Sequence, residues 1–144
     1  LIITGSSGLY ENSMGESYPK REDRNYMKKK CEEVFYDPKV ATDEVIDEVF
    51  ETVNNRKKLV KILTIAKSAI RHNMSKDLPK IKIPTAIIWG ENDIVTPPEV
   101  GNDFNRLIPN STLFWIKECG HAPMMEHPNQ FNVHMEKWLS TNSN

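Results

Sequence analysis

Ile83-Pro84-Thr85-Ala86-Ile87-Ile88-Trp89-Gly90-Glu91-Asn92-Asp93-Ile94-Val95-Thr96-Pro97 is the stretch that decides the fold. Its first seven residues are a short, nearly continuous apolar run broken only by Pro84 and Thr85. A run of that length reads as a strand buried on both faces, the pattern of a parallel sheet. Gly90 ends it and a polar loop follows. Pro97 and Pro98 open a helix through about Leu107, since proline is tolerated in a helix's first turn. Ser111 to Ile116 reads as a second strand, with Leu113, Phe114, Trp115 and Ile116. Cys119-Gly120-His121 is a loop. Pro128 then starts a last helix whose apolar residues are Phe131, Val133, Met135, Trp138 and Leu139, with 131, 135, 138 and 139 as the spaced set. The order strand, helix, strand, helix predicts a parallel α/β sheet.

Toward the N-terminus the texture changes. Residues 9–80 are polar with helical spacing. Arg21 to Phe35 is rich in Lys, Glu and Arg, with Tyr26, Met27, Val34 and Phe35 available for one apolar face. Asp37-Pro38 breaks it. Thr42 is suited to cap a second helix, with Asp43 and Glu44 in the first turn where the helix dipole favours anions. Asn54-Asn55 punctuates, and Leu59 to Ile70 forms a longer, more apolar helix. Three or four helices with no strand between them are expected over 9–78. Leu1 to Gly5 reads as a short buried strand followed by the turn Gly5-Ser6-Ser7-Gly8. There is no initiator methionine and no polar lead-in, so the chain reads as one entered at a buried strand.

The 144 residues suffice for one domain with a core. A net charge of −1 predicts no electrostatic pull toward nucleic acid or an anionic membrane. No apolar run is long enough to span a bilayer. Two cysteines without a CxxC give no disulfide framework, which points to a reducing, cytoplasmic setting. Four histidines without paired spacing give no metal site.

Ligands of open parallel sheets bind at the carboxyl ends of the strands. Two polar loops lie there, Gly90 to Pro97 and Lys117 to Pro123. On adjacent strands they would sit side by side and bring Asp93 against His121. An Asp in such a loop is ordinarily a cap or turn former, and a lone His after Gly is ordinarily structural. Paired at successive strand ends, they suit acid–base chemistry. The acid holds the imidazole tautomer, and the imidazole takes and returns a proton.

These blocks resemble the α/β-hydrolase superfamily. Ile83 to Pro97 is similar to its late strand ending in G-x-x-D-x-x-x-P. Gly120-His121-Ala122-Pro123-Met124-Met125-Glu126-His127-Pro128 is similar to its G-H-x-x-x-x-E-x-P block. Leu1 to Tyr10 resembles the strand before the cap insertion. The resemblance implies hydrolase core over residues 1–8 and 79–144 and a helical cap over 9–78. It implies a Ser-His-Asp triad with Asp93 as the acid and His121 as the base. The family's serine sits in G-x-S-x-G on a strand-to-helix turn. No such motif exists here, and Gly5-Ser6-Ser7-Gly8 is one residue too short. The serine and the oxyanion hole are therefore expected upstream. The segment by itself is expected to be inactive, because oxyanion stabilisation is usually the largest catalytic term.

Other residues carry plainer readings. Ser6 and Ser7 read as turn residues. Cys119 is too close to His121 in sequence to serve as its nucleophile. His127 caps or packs, His72 and His134 belong to helix surfaces, and Glu126 makes a structural hydrogen bond near the His loop. Tyr10, Met14 and Met124, with Met125, could line an apolar substrate pocket beneath the cap, or simply pack. The resemblance implies a small-molecule substrate and no cofactor. It implies ester, amide or carbon–carbon bond hydrolysis. Other readings are a non-catalytic cleft that binds a small molecule, or a segment whose unpaired sheet edge forms a homodimer.

Overall fold

The computed structural model describes residues 1–9 and 20–142, the side chain of Ile70 excepted. Three parallel strands form one sheet: β1 (Ile2–Ile3), β2 (Thr85–Gly90) and β3 (Ser111–Ile116), in the order β1-β2-β3. Ile2 stands opposite Ala86, and Thr85 opposite Ser111. Every residue of β2 is buried, as its unbroken apolar run requires. β1 departs from expectation. It lies at the sheet edge, and Leu1 and Ile2 are exposed. An apolar run specifies burial only when the sheet continues past it.

Helices cover both faces, because alternate β2 side chains point opposite ways. Ile87 and Trp89 pack with Val100, Phe104 and Ile108 of and beyond α4 (Pro98–Leu107), and Leu78 and Met74 join them. Trp89 and Phe104 meet with ring centroids 5.9 Å apart. Ile88 and Ile116 face the other way, toward Phe131 and Met135. These two belong to the last helix, Pro128–Asn142. Trp138 of that helix is buried, but Val133 and Leu139 are exposed, so the buried stripe is narrower than the apolar pattern.

Between β1 and β2 the described elements are helical: α1 (Arg24–Glu32), α2 (Asp43–Asn54) and α3 (Arg56–Arg71), with 3-10 turns at Pro38–Val40, Met74–Lys76 and Leu78–Lys80. Capping explains the boundaries. Asp23 accepts from the amides of Asn25 and Tyr26, Thr42 from that of Val45, and Asn55 from those of Lys57 and Lys58. Met27 and Cys31 are the buried face of α1, and Ile46 and Val53 that of α2. Arg24 holds Asp47 at 2.6 Å and Asp43 at 2.9 Å, lowering the Asp43 carboxyl below its usual range through that hydrogen bond. Among the described residues no helix is long and apolar enough to cross a membrane.

Candidate active site

The acid loop and the histidine loop are zipped together. The Glu91 amide donates to Ile116 O, and the Asn92 amide to Cys119 O, each at 2.9 Å. Gly90 permits this approach. A Cβ there would lie 2.1 Å from Gly120 O and 2.4 Å from Cys119 O, which no side chain survives. The buried Trp89 indole donates to Thr96 O at 3.0 Å and pins the far end of the acid loop to the core.

This frame brings Asp93 and His121 into contact, with Nδ1 2.9 Å from Asp93 Oδ2. Asp93 is buried, and its carboxylate accepts at both oxygens. Oδ1 takes the amides of Val95 and Thr96 at 2.8 and 2.9 Å. Oδ2 takes the Thr96 hydroxyl at 2.9 Å together with His121 Nδ1. A buried carboxylate is costly unless its lone pairs are filled, and here they are. Donation from Nδ1 leaves the Nε2 lone pair of the neutral ring available. No described residue hydrogen-bonds Nε2. The ring is about a quarter exposed, so one face stays open to a reactant.

Three contacts hold the His121 loop from outside. The His121 amide donates to Val34 O at 2.8 Å. Glu126, on the short helix α5 (Pro123–Glu126), accepts from the Gly120 amide at 2.7 Å and from the Tyr36 amide at 2.8 Å. The acid thereby ties the His loop to the segment at Tyr36, a larger task than the single structural bond expected of it. Gly5 presses on the histidine from β1. It sits at φ +47°, and a Cβ there would lie 2.7 Å from His121 O and 3.0 Å from the ring.

Cys119 is fully buried between these groups. Burial, then the nearby Glu126 carboxylate, pushes its thiol up to about 12. It is inert as a nucleophile at neutral pH. His127 Nε2 lies 2.9 Å from Glu118 O, in keeping with a packing role. His134 is not simply on a surface: it stacks on Phe114 with centroids 5.0 Å apart. Ser6 is half-buried and Ser7 exposed in the turn after β1. Met124 lies on α5 and is exposed. Tyr10 and Met14 lie outside the described residues. A cavity between residues 36–40 and the Glu118–His127 segment includes neither Asp93 nor His121. Among the described residues no cluster of His, Cys, Asp and Glu suits a metal.

Sequence reasoning missed Thr96 and Gly5. Thr96 carries a local signal, since a hydroxyl three residues after an acid in a loop can turn back on it. Gly5 carries none, because its contact spans 116 residues of chain.

A family model described as alpha/beta hydrolase fold matches residues 5–128. A 2-hydroxy-6-oxononadienedioate/2-hydroxy-6-oxononatrienedioate hydrolase of a Pseudomonas species is 30% identical over 127 residues, 87% of this chain and 42% of that protein. The monoacylglycerol lipase ABHD6 of Bos taurus is 35% identical over 66 residues, 46% of this chain and 20% of that protein. The chain thus spans less than half the length of these curated relatives. Among solved structures, an α/β hydrolase from a lagoon-sediment metagenome of Mar Chica, Morocco, shares 49% identity. Its TM-score is 0.68, over all of this chain and 51% of that one. A meta-cleavage product hydrolase of Pseudomonas fluorescens IP01 shares 18% identity with a TM-score of 0.78, over 99% and 56% of the two chains, a likeness of fold alone.

Proposed function

The chain belongs to the α/β-hydrolase fold family, and from that premise we propose that it supplies the histidine and its orienting acid to a serine hydrolase. The contact of His121 Nδ1 with the buried, fully hydrogen-bonded Asp93 carries this reading. In the proposed reaction a serine hydroxyl gives its proton to His121 Nε2 as it attacks the substrate carbonyl. Asp93 stabilises the imidazolium so formed and keeps the ring in register. His121 then returns the proton to the leaving group, and the same pair activates water to release the acyl group. The reaction needs no cofactor.

The serine and the oxyanion donors are assigned to a part of the fold that these 144 residues do not contain, since they hold no G-x-S-x-G. The substrate is a small molecule with a hydrolysable ester, amide or carbon–carbon bond. Residues 9–78 act as the cap over it, with Tyr10, Met14 and Met124 toward the acyl or ring portion. The names of the relatives, a dioic-acid hydrolase and a monoacylglycerol lipase, support that breadth. A second reading concerns the segment by itself: its unpaired β1 edge, where Leu1 and Ile2 are exposed, would pair two copies of the isolated segment, which light scattering reads directly.

Two assays test the enzymatic reading. The chain alone should hydrolyse p-nitrophenyl acetate at background rate; turnover that depends on His121 would place the nucleophile within it after all. Joined to the first half of the Mar Chica hydrolase, which it matches at 49% identity, it should hydrolyse p-nitrophenyl esters and lose that activity on His121→Ala. A folded chimera indifferent to His121→Ala overturns the assignment.

A further inference from the structure

The turn at Asp93 is complete without the Thr96 hydroxyl. Oδ1 alone gathers the amides of Val95 and Thr96, at 2.8 and 2.9 Å, which is the ordinary way an aspartate closes a loop on itself. The hydroxyl goes to the other oxygen. It donates to Oδ2 at 2.9 Å, the oxygen that also meets His121 Nδ1. Thr96 is itself buried, at 5% exposure. A valine would fill the same space with no polar group to desolvate. The hydroxyl therefore serves the side of the carboxylate that faces the histidine, not the side that forms the turn.

Thr96 is also held in place by its backbone. Its amide is bound to Asp93 Oδ1, and its carbonyl accepts from the indole of Trp89, a core residue, at 3.0 Å. Pro97 follows and restricts its backbone to extended conformations. The direction of the hydroxyl proton then decides what the histidine meets. That proton lies on Asp93 Oδ2, so the hydroxyl presents lone pairs toward the ring, 3.2 Å from Nδ1. Nδ1 faces two acceptors and no donor. An Nδ1–H can share its hydrogen between Asp93 Oδ2 and Thr96 Oγ1. A bare Nδ1 would set its lone pair against both.

We propose that Thr96 is a positioning residue for the base: its hydroxyl fixes Asp93 Oδ2 and offers the His121 Nδ1–H a second acceptor, and so aims Nε2 at the serine. The proposal rests on the hydrolase reading given above. The Nδ1–H bond strengthens as the ring becomes an imidazolium. A ring held at two oxygens keeps its line of proton transfer through that change. The hydroxyl lies on the Nδ1 side of the ring, away from the nitrogen that meets the reactants, so kcat should respond to it and KM should not.

Kinetics of the chimera with the first half of the Mar Chica hydrolase test it. Thr96→Val should lower kcat about tenfold, as the loss of one such hydrogen bond would, with KM unchanged. Thr96→Ser restores the hydroxyl and should recover most of kcat. Thr96→Ala gives the same comparison where valine is not accommodated. The 144-residue chain gives a second readout by proton NMR. The His121 Nδ1–H signal should be visible near neutral pH in the wild type and in Thr96→Ser, and be lost to exchange with water in Thr96→Val. A Thr96→Val chain that unfolds in less urea yet keeps that signal would make the hydroxyl a filler of a buried lone pair, and overturns the proposal. A chimera that needs His121 but turns over equally well with Thr96→Val overturns the proposal alone. A chimera indifferent to His121→Ala overturns the hydrolase reading and this proposal with it.

Discussion

The Thr96 hydroxyl lies 3.2 Å from His121 Nδ1, and both groups reach the same oxygen, Asp93 Oδ2, at 2.9 Å. The acid is thus filled from two sides, by its own loop and by the histidine. Thr96→Val keeps the shape and removes the hydroxyl. It leaves a buried carboxylate lone pair without one of its donors, and should cost about 1–3 kcal/mol of stability. Urea unfolding would show this, with Thr96→Ser recovering most of the loss.

Asp93→Asn should change which ring nitrogen carries the proton. The amide cannot accept at both former oxygen positions, so His121 should turn from a Nδ1–H donor into an acceptor at Nδ1, protonated at Nε2. Nitrogen NMR of the ring distinguishes the two tautomers. In the chimera with the Mar Chica hydrolase the wrong tautomer should lower turnover by about 10⁴-fold.

Glu126→Gln should loosen the His loop without touching the histidine. The carboxylate accepts from three amides, those of Gly120, Tyr36 and Asp37. An amide side chain turns one acceptor into a donor facing other donors. A loss of about 1–3 kcal/mol is expected, the range for charged hydrogen bonds and unsatisfied buried groups. Hydrogen exchange should speed at Gly120 and Tyr36 together.

Gly5→Ala sets a Cβ against the His121 carbonyl and ring and places a non-glycine residue at positive φ. Strain of about 1–3 kcal/mol is expected. The melting temperature should fall, and the His121 Nδ1–H signal should shift or broaden as the ring is displaced.

Cys119 gives a pH dependence of known sign. Its folded thiol sits at about 12, above the ordinary 9.0, so the folded chain holds this proton more tightly than the unfolded chain does. The contribution is complete below about pH 9 and is lost as pH rises toward 12. Over that window the wild-type chain should lose stability faster than Cys119→Ala. Parallel slopes would remove Cys119 as the cause.

Local chemistry was legible from the residues alone. Thr42 caps where its side chain can reach the next amides, Asn54-Asn55 separates two helices, Pro98 and Pro128 start helices, and β3 spans the residues that its apolar run marks. Asp93 and His121 could be chosen because glycine, loop and strand end surround each of them. What lay beyond reach was long-range. β1 reads as buried, yet its exposure depends on what stands beside it in the sheet. Val133 and Leu139 are as apolar as Phe131, and only the seating of the last helix on β2 and β3 leaves them in water.

The sequence by itself determined most element types and their approximate boundaries and singled out Asp93 and His121 as a pair, because periodicity, capping and proline act within a few residues. The tertiary structure alone decided that Gly5 bears on His121 and that Glu126 ties the His loop to the segment at Tyr36. Those contacts join parts of the chain up to 116 residues apart. No local preference encodes such a pairing; it exists only once the sheet has closed and the helices have packed on it.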